Sequence, residues 1–398
     1  MHGRIRGLDG LRAIAVGLVL IMHKTDFGTQ SCMGFYGVWL FFLLSGYLIT
    51  GQLYVARRRV EAGQSRSFAE LMTFWYRRAL RIFPAYYAIL VFISCYYLLS
   101  GHELHGTPYY VFHLSNVYLS SNMDQFHTTW AHFWSLAVEE QFYVLFAPLL
   151  LFTPARHAVK MCLAVMVASA VQRIVLTSED IEPFRIYIDS LVNFGLLAAG
   201  GLLYLMSQQV TFFMGNARLN RGLPGWIALT VYLVLSVSTT SLLAADPLLL
   251  QISYALGCAV GLFVLANVIS GQSNSLVNLL EAPSMSLLGR LSYSIYLIND
   301  YVPADIPQRI LTLAARWGAG DAGQRAFESY PYLSLLLSIV GALLCFAIVI
   351  AAAFISWTVV ERPALALRDR ISGRPKLAWP SIKPTSARNS VVSATSDR

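Results

Sequence analysis

Three clusters of ionisable and hydroxyl side chains stand within or at the lip of strongly apolar stretches, and their spacing indicates what they can do. Such groups are costly in lipid, so each is a functional candidate until a structural role is found. In Leu8-Asp9-Gly10-Leu11-Arg12 through His23, the step from Arg12 to His23 is close to three helical turns. Both side chains fall on one face, about 16 Å apart along the axis. Asp9 lies one turn before Arg12 on the same side. An imidazole within a span suits proton transfer from a hydroxyl. The alternative role for His23 is an interhelical hydrogen bond or an interfacial position beside Lys24.

The second cluster is Tyr76-Arg77-Arg78-Ala79-Leu80-Arg81-Ile82-Phe83-Pro84. Arg78 and Arg81, three apart on one helical face, present two guanidinium forks that can grip phosphates of a ligand or those of lipid headgroups. The third is Trp130-Ala131-His132-Phe133-Trp134-Ser135-Leu136-Ala137-Val138-Glu139-Glu140-Gln141-Phe142-Tyr143. Here His132, Ser135, Glu139 and Tyr143 form a polar stripe that must face other helices rather than lipid. Glu139 and Glu140 can orient a histidine, bind acceptor hydroxyls, or pair with an arginine to hold helices together.

The elements that must position these groups are membrane helices. Of 398 residues, 56% are hydrophobic and only 13% charged, against about 25% charged in ordinary soluble domains. The apolar residues fall in ten blocks, roughly 12–31, 34–55, 82–100, 130–152, 158–176, 187–206, 223–243, 249–269, 287–303 and 332–359. A helix needs about 20 such residues to cross the hydrocarbon core, and segments of this length satisfy their own backbone hydrogen bonds only as helices. The expected fold is an all-α polytopic bundle of about ten transmembrane helices.

With the N-terminus inside, 23 of the 29 Lys and Arg residues fall on cytoplasmic segments, which places both termini in the cytoplasm. Topology and attraction to anionic lipid explain the net charge of +8, so nucleic acid is not the expected partner. The first span lacks a small-residue cleavage site and reads as retained. The segment 56–81 has room for an amphipathic helix ahead of the third span. Residues 1–370 read as one transmembrane domain and 371–398 as a disordered cytoplasmic tail rich in Ser, Pro, Lys and Arg. Five scattered cysteines (Cys32, Cys95, Cys162, Cys258, Cys345) suggest neither a disulfide framework nor a metal site. No internal repeat is evident.

On these residues the chain resembles the bacterial acyltransferase 3 family, whose members O-acetylate polysaccharides, lipopolysaccharide, peptidoglycan and Nod factors and acylate some macrolides. The first cluster is similar to that family's arginine-to-histidine signature. Tyr76–Pro84 is similar to its paired-arginine stretch, and Trp134–Tyr143 to its most distinctive block. Gly37–Thr50, Gly289-Arg290-Leu291-Ser292-Tyr293-Ser294-Ile295-Tyr296-Leu297 and Val360-Glu361-Arg362-Pro363 complete the ordered set over Arg4–Arg362.

The resemblance implies acetyl-CoA or another acyl-CoA as donor, with no metal. It makes His23 the catalytic residue and Arg78 and Arg81 donor-binding residues; beside these, Glu139 or Glu140 is expected to orient or charge-stabilise the imidazole, and Arg12 to line the path of the donor arm. Asp9, Ser135, Tyr143 and Asn299 are the candidates for the acceptor, a carbohydrate or glycoconjugate hydroxyl, in the bacterial inner membrane. Two departures stand out. Where many relatives have a histidine after the Ser-Tyr-x-x-Tyr-Leu segment, this chain has Asn299 followed by Asp300, and Arg185 with Asp189 only loosely matches the usual arginine-aspartate pattern. No appended esterase-like domain of the kind some relatives carry is expected. Transfer either by His23 as general base or through an acyl-histidine fits this reading. The rival classes are a glycolipid transporter or flippase and an assembly subunit.

Overall fold

The computed structural model describes residues 5–101, 105–124, 130–208, 222–238, 247–270, 274–303, 306, 309 and 331–371. The Ser- and Pro-rich tail beyond Ile371, and Arg4, Arg218, Arg221, Arg316 and Arg325, lie outside them. The long helices are α1 (Leu8–Lys24), α2 (Met33–Glu61), α3 (Ser67–Leu99), α4 (Phe133–Phe152), α5 (Ala158–Ser178), α6 (Ser190–Ser207), α7 (Leu223–Ser238), α8 (Pro247–Ser270), α9 (Pro283–Ile298) and α10 (Pro331–Ser356). Each expected apolar block falls on one of these. Seven helical stretches among the described residues are long and apolar enough to cross a membrane, those of α2, α3, α4, α5, α6, α8 and α10. The shorter α1, α7 and α9 have 17, 16 and 16 residues. The chain is an all-helical, multi-pass membrane protein.

Two boundaries differ from the sequence reading. The third helix starts at Ser67 and runs unbroken through Pro84 to Leu99, so the arginine-bearing segment and the span are one rod. No helix breaker lies between 67 and 81, and the bonds that a proline frees can be met locally within a membrane bundle. The first helix ends at Lys24, because the Thr25 hydroxyl accepts from the Gly28 amide at 2.9 Å and caps a new short helix, Asp26–Thr29.

The central helix is α2, which packs on α1, α4, α6, α7 and α8, while α1 lies between α2 and α9. Without a hydrophobic driving force between helices, close backbone approach supplies much of the association. Gly46 on α2 faces the Leu197 carbonyl of α6, where any Cβ would overlap it. Gly289 on α9 meets the Asp9 carbonyl of α1 in the same way, and this contact seats the start of α1. Large apolar side chains on α3, α5 and α10, such as Phe92, Val171 and Leu343, are exposed, as the bilayer face requires.

One end of the bundle is closed by polar clasps. Arg57 Nη1 and Ser67 Oγ both donate to the Leu151 carbonyl at 2.9 Å, and the Ala155 amide donates to Glu61 at 2.7 Å. Arg59 donates to Glu70 at 2.8 Å, and Ser65 does so at 2.6 Å. The α2–α3 turn is thereby tied to the end of α4. This fixes the rotation of α3, and with it the direction in which Arg78 and Arg81 project.

Candidate functional site

A cavity of about 90 Å³ lies between α1, α2, α3, α4 and α9 near the clasped, basic end. Arg12, Arg78 and Arg81 reach its wall together with Ser45, Ser135, Glu139, Tyr143, Tyr293 and Tyr296. Helical spacing explains the convergence. Arg78 and Arg81 share a face of α3, and Ser135, Glu139 and Tyr143 share a face of α4. Arg12 stands near the start of α1, which α9 and α2 hold from either side.

Charge within the cavity is arranged rather than neutralised. Arg12 Nη1 donates to Asp9 at 3.1 Å. The Arg78 guanidinium lies 5.3 Å from the Tyr143 ring centre and 5.8 Å from that of Phe74, in cation–π contact with both. Glu139 accepts from Ser45 Oγ at 2.6 Å and from the Tyr143 hydroxyl at 3.1 Å. The three arginines stand within electrostatic reach of one another, and among the described residues Arg12 alone of the three is in an ion pair with a carboxylate. Such a set of forks suits an anionic ligand with several oxygens.

His23 does not line this cavity. Its Nδ1 lies 2.9 Å from the Val19 carbonyl, which can only accept, so Nδ1 carries a proton and, in the neutral ring, the lone pair is on Nε2. Nε2 stands 4.0 Å from Asp300 Oδ1. The other oxygen of Asp300 is 2.8 Å from His132 Nδ1, and His132 Nε2 is 3.2 Å from the Leu297 carbonyl. Both nitrogens of His132 thus face oxygen acceptors.

Hydrogen bonds, one of them to the His132 backbone, and two histidine–carboxylate pairings link the two centres. The Tyr296 hydroxyl, on the cavity wall, bonds Ser135 at 2.6 Å and donates to the His132 carbonyl at 3.0 Å. The chain from the cavity to His23 therefore runs through Tyr296, His132 and Asp300.

Other expected site residues are distributed around these centres. Glu140, about 100° around α4 from Glu139, is buried on a different side, and its Oε1 has no hydrogen-bond partner among the described residues. Neither glutamate is at His23; Asp300 occupies that place. Asp9 holds Arg12 and is not on the cavity wall. Asn299 donates to the Tyr296 carbonyl at 2.8 Å, is fully buried and does not reach the cavity. Arg185 pairs with Glu182 at 3.7 Å, while Asp189 caps α6 by accepting from Val192 at 2.8 Å. The loosely matched arginine-aspartate pair is therefore not an ion pair.

The partnership of His132 with Asp300 was not read from the sequence. The available signals were an acidic residue directly after the apolar run of α9 and a histidine heading the polar stripe of α4. Among the described residues, no group of three or more His, Cys, Asp or Glu side chains is placed to hold a metal ion.

The multi-pass helical bundle thus carries a guanidinium-lined cavity at one end and a carboxylate-bridged histidine pair further along. The acyltransferase domain family matches residues 5–358, and the chain belongs to this family, acyltransferase 3. It is 37% identical over 150 residues to the O-acetyltransferase OatA of Staphylococcus aureus strain NCTC 8325 / PS 47, and the same holds for OatA of strain COL. That alignment covers 35% of this chain and 24% of the relative, so the chain spans about a quarter of the length of the curated relatives it matches. No solved structure matches it.

Proposed function

We propose that the protein is an O-acyltransferase that moves an acetyl or similar acyl group from acyl-CoA to a hydroxyl of a carbohydrate or glycoconjugate, with His23 as general base. The observation that carries this reading is the setting of His23. The Val19 carbonyl accepts from its Nδ1, so the neutral ring has its lone pair on Nε2, which stands beside a carboxylate able to stabilise the imidazolium.

The phosphates of the donor engage Arg78, Arg81 and Arg12 at the basic end, which the charge distribution favours as cytoplasmic. The thioester arm extends along α1 toward His23. His23 Nε2 takes the acceptor proton as the hydroxyl oxygen attacks the thioester carbonyl. The carbon–sulfur bond breaks, and the departing CoA thiolate takes up the proton. Asp300, held from its other side by His132, positions the ring and offsets its charge. The O-acetyltransferase name of the staphylococcal relatives supports an acetyl group, and the family membership with the inside-positive pattern supports a bacterial inner-membrane location.

The test is transfer of label from radiolabelled acetyl-CoA to glycans by the purified protein in nanodiscs. A His23→Ala variant that elutes as the wild type does should lose transfer by about 10²–10⁴-fold. Full activity in that variant rules out His23 as the base. Movement of an unmodified glycolipid across the membrane, without label transfer, would instead favour a flippase.

A further inference from the structure

A second and larger cavity, about 760 Å³, lies between α5 and α8 and belongs to no part of the proposed reaction. Its volume is within the range of about 300–1,000 Å³ typical of small-molecule sites. The walls are almost wholly apolar, with Met166, Ala170, Cys258 and Leu262 along its length. The flanking side chains Val167, Val171 and Leu256 are exposed to the bilayer. The groove therefore opens sideways into lipid rather than into water.

On the α5 wall of the groove, between Met166 and Ser178, sits Arg173, a cation with only 9% of its surface exposed. An arginine so placed is expensive in a membrane protein and calls for a partner. Its protein partners are neutral. The guanidinium lies flat over the Tyr254 ring, 3.3 Å from the ring centre, and Nη2 donates to Gln251 Oε1. Gln251 is itself fixed by donating to Thr177 at 2.9 Å, and Tyr254 by donating to the Val192 carbonyl at 3.0 Å. No carboxylate pairs with Arg173 among the described residues. With its face on Tyr254 and one nitrogen committed to Gln251, the fork keeps further N–H groups for an oxyanion.

The depth fits a headgroup. Helix α5 starts at Ala158, beside the clasps of the basic end, so its far end at Ser178 is on the opposite side of the bundle. Arg173 lies about 7 Å inside that end, near the interface between headgroups and acyl chains.

We propose that the α5–α8 groove binds one anionic phospholipid, its phosphate on Arg173 and one acyl chain along the apolar wall. Charge complementarity selects the phosphate, and the lateral opening with its apolar lining selects a chain-bearing molecule over a soluble anion. Basic pockets between membrane helices bind anionic lipid by this combination. The site is independent of the acyl-transfer reading, since its binding is measured without turnover.

The test is native mass spectrometry of the delipidated protein titrated with palmitoyl-oleoyl phosphatidylglycerol, against palmitoyl-oleoyl glycerol, which has the same chains and no phosphate. The wild type is expected to retain one phosphatidylglycerol at least about tenfold more tightly than the uncharged lipid, and Arg173→Gln to lose that preference. Equal retention of the two lipids by the wild type, or an unchanged preference in Arg173→Gln, overturns the proposal. Should the variant not stay folded, photoactivatable phosphatidylglycerol on the wild type decides. Adducts on α5 or α8 peptides at the groove uphold the site, and adducts confined to other helices overturn it.

Discussion

His132 Nδ1 lies 2.8 Å from one oxygen of Asp300, and the other oxygen of that carboxylate faces His23 Nε2 at 4.0 Å. One acidic side chain thus links a histidine of α4 to the histidine of α1. A carboxylate held from one side is less free to rotate, and it can orient a ring on its other side.

Asp300→Asn keeps the shape and removes the charge. We expect kcat to fall about 10- to 100-fold with little change in donor KM, the pattern of a lost positioning group. Steady-state kinetics with labelled acetyl-CoA measures this. A raised KM with unchanged kcat would assign Asp300 to substrate binding instead.

Arg78 carries the second prediction. Its guanidinium projects over Tyr143 on the cavity wall, so Arg78→Gln should raise KM for the acyl donor by about 10- to 100-fold, the worth of a charge-assisted hydrogen bond. Arg78→Lys should restore only part of the loss, because an ammonium cannot match the planar fork. Donor binding by isothermal titration calorimetry provides the check.

The third concerns His113, in the segment between α3 and α4. Its ring stacks on Phe83 and leans on Tyr86, and both ring nitrogens are buried without hydrogen-bond partners among the described residues. Burial pushes its pKa down from 6.5 to about 4. The unfolded chain then binds the proton first, so stability is full above pH 6.5 and declines as pH falls toward 4. At pH 5.5 the loss is on the order of 1 kcal/mol. His113 has φ of 54°, a backbone conformation that asparagine tolerates. His113→Asn should lower the apparent Tm at pH 7.5 and flatten its decline between pH 7.5 and 5.5, as followed by thermal unfolding in detergent.

The fourth is structural. Gly289→Val puts a side chain into the Asp9 carbonyl, so α1 must move off α9 or the protein must unfold. The expected outcome is a Tm drop of several degrees together with loss of donor binding, because Arg12 moves with α1. Size-exclusion chromatography after a heat step reads the first and calorimetry the second.

The sequence displayed the architecture because lipid imposes it. Each apolar block became a helix, and the α4 stripe of His132, Ser135, Glu139 and Tyr143 turned inward, since none of these groups is affordable against hydrocarbon. The pairing of Arg78 and Arg81 was legible in their spacing, but spacing could not show that Arg12 joins them, because periodicity orients a side chain on its own helix and says nothing of which helices are neighbours. For the same reason the sequence offered Glu139 and Glu140 as partners for His23, whereas the packing of α1 against α9 brought Asp300 there. The length of α3 was missed on different grounds: Pro84 and the polarity of residues 67–81 resemble a boundary, yet the helix runs through both.

Arg12 and His23 stand on a single helix that no proline interrupts. In the proposed reaction the interval between phosphate grip and proton acceptor is accordingly built in as a ruler, invariant whatever the surrounding helices do. A thioester on a truncated arm, too short to span that interval, could not occupy both marks at once, so a donor of the proposed kind would be gauged by reach as well as by charge.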